Sequence, residues 1–269
     1  MTTELPTAPP APPPPTALAP ALLAPAPPAV VYVAPPPASP PAYGSPQVWL
    51  VDTATHRVTA ARHAPYVLDR QELLRAAEFL HDADRDAYLC AHVGLRRLLG
   101  GYLGLPPRGV TVSRAPCPGC GEPHGRPVLP GDSLHFSLSH CEGLSLLAFA
   151  TTPVGVDVEA VPPLHTVAET ADVLHPREAA ELAALPPAER ALAFTRVWTR
   201  KEAYLKGLGV GLSEDPAADY VGSGPVPAPL PGWSLTDVAV PPGHCAAVAL
   251  NLPAAAPGQR PGTPPHGRG

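Results

Sequence analysis

The spacing of hydrophobic and polar residues changes along this chain, and each change predicts an element. A short apolar run from Val48 to Val51 suits a strand. Between Asp69 and His81, Leu73, Ala76, Ala77 and Leu80 recur at helical spacing behind Asp69, a good capping residue. A longer helix follows from Asp82 to Leu103, and Gly104, Pro106 and Pro107 stop it. Val110 to Val112 and Val128 are strand material around a turn-rich insert, Pro116 to Pro127. From Leu134 the period falls to two, which predicts strands at His135 to Ser139, Leu144 to Ala150 and Val154 to Val158. Helical spacing returns at Pro176 to Leu185 and at Pro187 to Leu208. Strands at Trp233 to Val240 and His244 to Asn251 close the pattern. Helices and strands in both halves imply an α/β or α+β domain.

Composition sets the limits of that domain. The chain has 269 residues with 43 prolines and 23 glycines. Residues 1–46 hold 17 of the prolines and one charged side chain, Glu4, and read as an extended arm; residues 253–269 read as a second such tail. Gln47 to Leu252 remain for folding, enough for one large core or two fused small ones. With 18 basic against 23 acidic residues the chain lacks the cationic face of a general nucleic-acid binder. The apolar stretch Ala21 to Ala34 is cut by Pro25, Pro27 and Pro28, and no Lys or Arg precedes Arg57, so neither a membrane span nor a signal peptide is expected. These features point to the cytoplasm. Five irregularly spaced cysteines read as thiols. Cys117, Cys120 and His124 have the start of a zinc knuckle but lack a fourth ligand nearby, so an ordinary turn is the expectation.

Three fragments carry chemistry. In Val154-Gly155-Val156-Asp157-Val158-Glu159 the valines share one strand face, while Gly155, Asp157 and Glu159 share the other. Two carboxylates about 6 to 7 Å apart at Cα suit a hard cation such as Mg²⁺, although two ordinary acids on a solvated face would look the same. In Phe194 to Lys206 the residues Trp198, Glu202 and Lys206 recur every four positions and form one helical stripe. The chain has 16 arginines but only two lysines, Lys201 and Lys206, both in this helix. A compact ammonium that can shift its pKa has been kept there. Third, Ser139 and His140 end a strand where a hydroxyl and an imidazole can meet a phosphate. A serine hydrolase is the weaker reading, since strand neighbours face opposite ways and no G-x-S-x-G elbow surrounds Ser139.

Together, Ser139-His140, Gly155-Val156-Asp157-Val158-Glu159 and Trp198-x-x-Lys201-Glu202-Ala203-x-x-Lys206 resemble, in order and spacing, the 4′-phosphopantetheinyl transferases of the surfactin-activating type. Gly125-Arg126-Pro127 and Leu95 to Leu99 look like further elements of that family. The resemblance implies two similar α/β halves related by a pseudo-twofold, here residues 47–153 and 154–252, with coenzyme A in the cleft between them. It implies transfer of phosphopantetheine from coenzyme A to a serine of an apo acyl or peptidyl carrier protein, by a monomer that uses Mg²⁺. On that basis Asp157, Glu159 and Glu202 form the metal site, Glu202 is the base, and Lys206 steadies the phosphate. Arg75, Arg96, Arg126, Ser139 and His140 match phosphate contacts. Ala87 and Glu72 depart from the family pattern at positions more often basic, which bears on coenzyme A affinity. The alternatives are a Mg²⁺-dependent nuclease built on the same three acids, or a proline-rich interaction protein without activity.

Overall fold

The computed structural model describes residues 29–30 and 39–252, apart from positions 119, 124, 132, 142, 171–172 and 211–214. Most of the proline-rich arm and all of the tail therefore lie outside the described residues. Strand β1 (Ala29–Val30) belongs to the arm and pairs in parallel with Trp49 and Leu50, so this part of the arm joins the sheet, contrary to expectation. Strand β2 (Gln47–Asp52) runs directly into helix α1 (Thr53–Val67). The Asp52 side chain makes that turn by accepting from the Thr55 amide at 2.7 Å.

The hydrophobic pattern gives no sign of helix α1. It is poor in large apolar residues and carries Pro65 in its last turn; its buried positions are the small or polar Thr53, His56, Ala60 and Ala64. Helix α2 (Arg70–Ala77) is capped by Asp69 and Glu72, each accepting from the other's amide at 2.9 Å. It ends four residues before His81, which instead becomes the N-cap of α3 (Asp82–Leu103). Gly104, with φ of 64°, ends α3 in the left-handed conformation.

Val110 to Val112 do not form a strand. The short hairpin is β3 (Ser113–Arg114) with β4 (Pro127–Val128). Strands β5 (His135–Cys141), β6 (Leu144–Ala150) and β7 (Val154–Ala160) follow as expected. Helix α4 (Leu164–Thr170), also unexpected, precedes α5 (Pro176–Ala184) and α6 (Pro187–Leu208). Strand β8 (Trp233–Asp237) is shorter than its apolar pattern, and β9 (His244–Asn251) matches its own.

The strands make two principal sheets. One has the order β1-β2-β6-β5 and the other β7-β9-β8; apart from β1 all their pairings are antiparallel. Helices α1 to α3 and the inner face of the first sheet share a core around Leu98, Leu99 and Phe149. The valine face of β7, namely Val154, Val156 and Val158, packs on Leu146, Ala148 and Ala150 of β6. The glycine face of β7 carries α6. A methyl group built on Gly155 would lie 2.0 Å from the Ala203 carbonyl oxygen, so glycine is what lets this helix touch the strand. Both faces of β7 are thus covered, and Asp157 is not a solvated surface acid.

Candidate active site

Strands β5 and β7 meet through side chains. The Val156 amide donates to Ser137 Oγ at 3.1 Å, and Ser139 Oγ donates to Asp157 Oδ1 at 2.7 Å. Alternation along β5 aims Ser137 and Ser139 at the same neighbour, so the two sheets are joined by hydroxyl groups. From α6, Lys206 Nζ reaches into this seam and donates to Asp157 Oδ1 at 2.5 Å and to Ser139 Oγ at 3.0 Å. Asp157 is only 1% exposed, and its other oxygen, Oδ2, is buried with no hydrogen-bond partner. A carboxylate oxygen in that condition has been desolvated without full compensation, which favours a cation beside it.

Glu202 lies one turn before Lys206 on the same stripe and is half-buried. Burial, reinforced by the negative charge of Asp157 and opposed by Lys206, raises its carboxyl above the ordinary range. Glu159, two residues beyond Asp157 on the same strand face, is half-buried opposite Cys245. Among the described residues no three His, Cys, Asp or Glu side chains form a ready metal cluster. The seam is held instead by the Lys206 ammonium.

Beside the seam a cavity of about 680 Å³ opens between α3, the β3–β4 hairpin, β5 and the end of α6, and Glu72, His92, Arg96, Arg126, His140 and Lys206 are among its lining residues. His140 keeps contact with solvent at the strand end. The cavity walls desolvate its ring, and Lys206 and His92 add to the effect, so its pKa falls below the ordinary imidazole value. Arg126 crosses from the hairpin to the end of α6, where it donates to the Gly207 carbonyl at 2.8 Å. Ser139, His140, Asp157, Glu202, Lys206 and Arg126 are therefore gathered at one junction.

Two residues expected beside phosphate sit differently. Arg75 is exposed on α2, pairs with Glu78 at 2.9 Å and is not among the cavity's lining residues. Arg96 does line the cavity, but its guanidinium is engaged: it pairs with Asp69, meets Glu72 at 2.5 Å and donates to the Val110 carbonyl at 3.1 Å. Glu72, out of place against the family pattern, is here the partner of Arg96 and also meets His92 Nδ1 at 3.2 Å. His92 stacks on Tyr88 with ring centroids 3.9 Å apart. Burial and the charges of Glu72 and Asp69 push the Tyr88 hydroxyl up to about 12. Reading the residues for chemistry misses His92, although Tyr88, His92 and Arg96 recur every four positions and form one visible stripe. Cys117 lines the cavity and closes a tight turn, its amide donating to the Glu122 carbonyl at 2.7 Å. His124 lies outside the described residues.

Comparison with known proteins decides what this junction belongs to. The family model of the 4′-phosphopantetheinyl transferase superfamily matches residues 153–235. The 4′-phosphopantetheinyl transferase HetI of Nostoc sp. is 36% identical over 194 residues, which cover 68% of this chain and 78% of that protein. The chain belongs to the 4′-phosphopantetheinyl transferase superfamily. More distant members include psf-1 of Bacillus pumilus, 28% identical over 62% of this chain and 68% of its own, and Sfp of Bacillus subtilis, 25% identical over 52% and 59%. The matched segment of the transferase family runs from the start of β7 through α6 to β8. It therefore contains Asp157, Glu159, Glu202 and Lys206 but not Ser139 or His140. No helix among the described residues is long and apolar enough to cross a membrane.

Proposed function

We propose that this chain is a holo-carrier-protein synthase that moves the 4′-phosphopantetheine arm of coenzyme A onto a serine of an apo acyl or peptidyl carrier protein and releases adenosine 3′,5′-bisphosphate. The observation that carries this reading is the junction of Ser139, Asp157 and Lys206, with Glu202 one turn away, at the edge of a cavity of about 680 Å³. Two halves, residues 47–153 and 154–252, bound the cavity. A pseudo-twofold between them is supported by their shared order, since in each the first strand pairs with the last and the last with the middle one.

The residues present fit a hard divalent cation. Asp157 Oδ2 is buried without a partner, and the Glu202 carboxyl is raised by burial with the charge of Asp157 adding to it, a repulsion that a cation between them would relieve. Asp157, Glu159 and Glu202 would hold Mg²⁺. Bound there, the ion supplies charge neutralisation for the pyrophosphate of coenzyme A.

The chain's own residues do the rest. Glu202 takes the proton of the carrier serine, a role that suits a half-buried carboxylate one turn from Lys206 and beside Asp157. Lys206, Arg126 and the Ser139 hydroxyl line the route of the pyrophosphate and stabilise charge on it. His140, its pKa lowered, is neutral at pH 7 and offers a ring N–H without a competing charge. Arg96 supports the cavity wall through Asp69 and Glu72. A chain that works on coenzyme A and carrier proteins in this way belongs in the cytoplasm, and one chain supplies both halves as a monomer.

The test separates binding from chemistry. Calorimetry should find that Glu202→Gln still binds coenzyme A, while intact-mass measurement finds its apo carrier unmodified. Full transfer activity in that variant would remove Glu202 from the mechanism.

A further inference from the structure

Helix α6 has two faces with different work. One carries Glu202 and Lys206 toward Asp157 of β7. Three further cations of the helix, buried or half-buried, each donate to one segment, residues 219–223, and Arg200 also forks onto Asp237 of β8 at 2.7 and 2.6 Å. Lys201 Nζ donates to the Asp219 carbonyl at 2.5 Å, Arg200 Nη1 to the Gly222 carbonyl at 2.6 Å, and Arg196 Nη1 to the Ser223 carbonyl at 3.1 Å. The amides of that segment point to carboxylates of α5. Val221 and Gly222 donate to Glu178 Oε1 at 2.7 and 3.3 Å, and Ser223 donates to Glu181 Oε2 at 3.2 Å.

At the centre, Lys201 meets Glu178 Oε2 at 2.8 Å, with side chains 4% and 0% exposed. A fully buried ion pair is a poor way to gain stability, because desolvation offsets most of the attraction. Its directionality is another matter. Glu178 is tied by the His175 amide at 3.1 Å as well as by the two amides of 219–223, so the position of the lysine ammonium is fixed from three sides. Lys201 and Glu202 are neighbours on the helix and point about 100° apart, so holding one sets the direction of the other. A rotation of α6 by about 10° would move a side-chain tip about 6 Å from the axis by about 1 Å. A displacement of that size costs about 100-fold in rate at a catalytic group.

We propose that Lys201 and Glu178 are a positioning pair for the transfer reaction: they fix the rotation of α6 and thereby aim Glu202 and Lys206 at Asp157, and Lys201 itself takes no part in proton or phosphoryl transfer. This rests on the transferase reading above. The pair lies on the side of α6 away from the seam, and its ammonium is already committed to a carboxylate and a carbonyl.

The experiment is a double-mutant cycle of Lys201→Met and Glu178→Gln in the full chain. Carrier modification is followed kinetically, and kcat is expressed per coenzyme A-binding site counted by calorimetry, so that loss of folded protein does not enter. Each single variant should lose at least about tenfold in kcat with KM for coenzyme A within about threefold, and the double variant should be no worse than either single, as members of one unit behave. If Lys201→Met fails to fold, because it strands the Glu178 charge, the double variant carries neither charge and decides alone. Wild-type kcat in the double variant would overturn the pair, as would losses that multiply, or a Lys201→Met defect with full kcat in Glu178→Gln. A wild type that modifies no carrier overturns the transferase reading and the pair together, whereas an active wild type with any of those three outcomes overturns the pair alone.

Discussion

Replacing Gly155 by alanine should separate two halves of the site that now touch. The new Cβ would stand 2.0 Å from the Ala203 carbonyl oxygen and 2.4 Å from the Gly207 amide nitrogen. Both atoms are backbone of α6, so no side chain can swing away, and the helix must retreat from β7 by about 1.5 Å to restore ordinary contact. Overpacking of this kind costs about 1 to 3 kcal/mol, and the upper end applies where the obstruction is main chain. The same retreat draws Glu202 and Lys206 away from Asp157 and should lower carrier modification about 100-fold. Urea unfolding gives the loss of stability, and intact-mass kinetics with coenzyme A and an apo carrier gives the rate. Gly224→Ala serves as the control, because nothing lies within 4 Å of the place its new methyl group would take; its stability should change by less than about 1 kcal/mol. A Gly155→Ala protein with wild-type midpoint and rate would refute the close helix–strand contact and its role.

Two further outcomes follow from the cavity wall and the seam. Arg96→Met leaves Asp69 and Glu72 without their buried partner and should destabilise the fold by about 1 to 3 kcal/mol in thermal or urea unfolding, since Asp69 stays partly solvated and Glu72 keeps His92; an unchanged midpoint with weakened coenzyme A binding would show that Arg96 serves the ligand instead. Glu202 has its carboxyl raised from the ordinary 4.5, so in the metal-free protein it favours folding below that value and loses its contribution as pH rises through the folded-state pKa. Stability measured against pH in chelator should therefore decline more steeply through that window for the wild type than for Glu202→Gln, and identical profiles would contradict the shift.

The strands and long helices are legible in the sequence because their periods are strong. Asp82–Leu103 and Pro187–Leu208 match their expected bounds because Gly104 and Gly209 mark their C-terminal ends and Pro186 and Pro187 open the second. Helix α1 is hidden because its buried stripe is built from Thr53, His56, Ala60 and Ala64, residues whose apolar signal is faint, although Asp52 is a readable cap. Asp157, Glu202 and Lys206 stand out by spacing, but that Lys206 rests on Asp157 depends on how closely α6 approaches β7, which only the packing of Gly155 reveals. Arg96 looks like a phosphate contact because a lone arginine gives no sign of its partners; Asp69 and Glu72, 27 and 24 positions earlier, claim it once α2 folds back on α3. Lys201 shares that ambiguity, and its partner Glu178 lies on another helix.

The most direct measurement is the mass of an apo carrier protein incubated with this chain, coenzyme A and Mg²⁺, with the nucleotide product quantified in the same reaction. The account predicts a gain of about 340 Da on the carrier, the mass of the phosphopantetheine arm, with one adenosine 3′,5′-bisphosphate released for each carrier modified. A carrier of unchanged mass, tested with acyl and peptidyl carriers alike while coenzyme A stays intact, would contradict it.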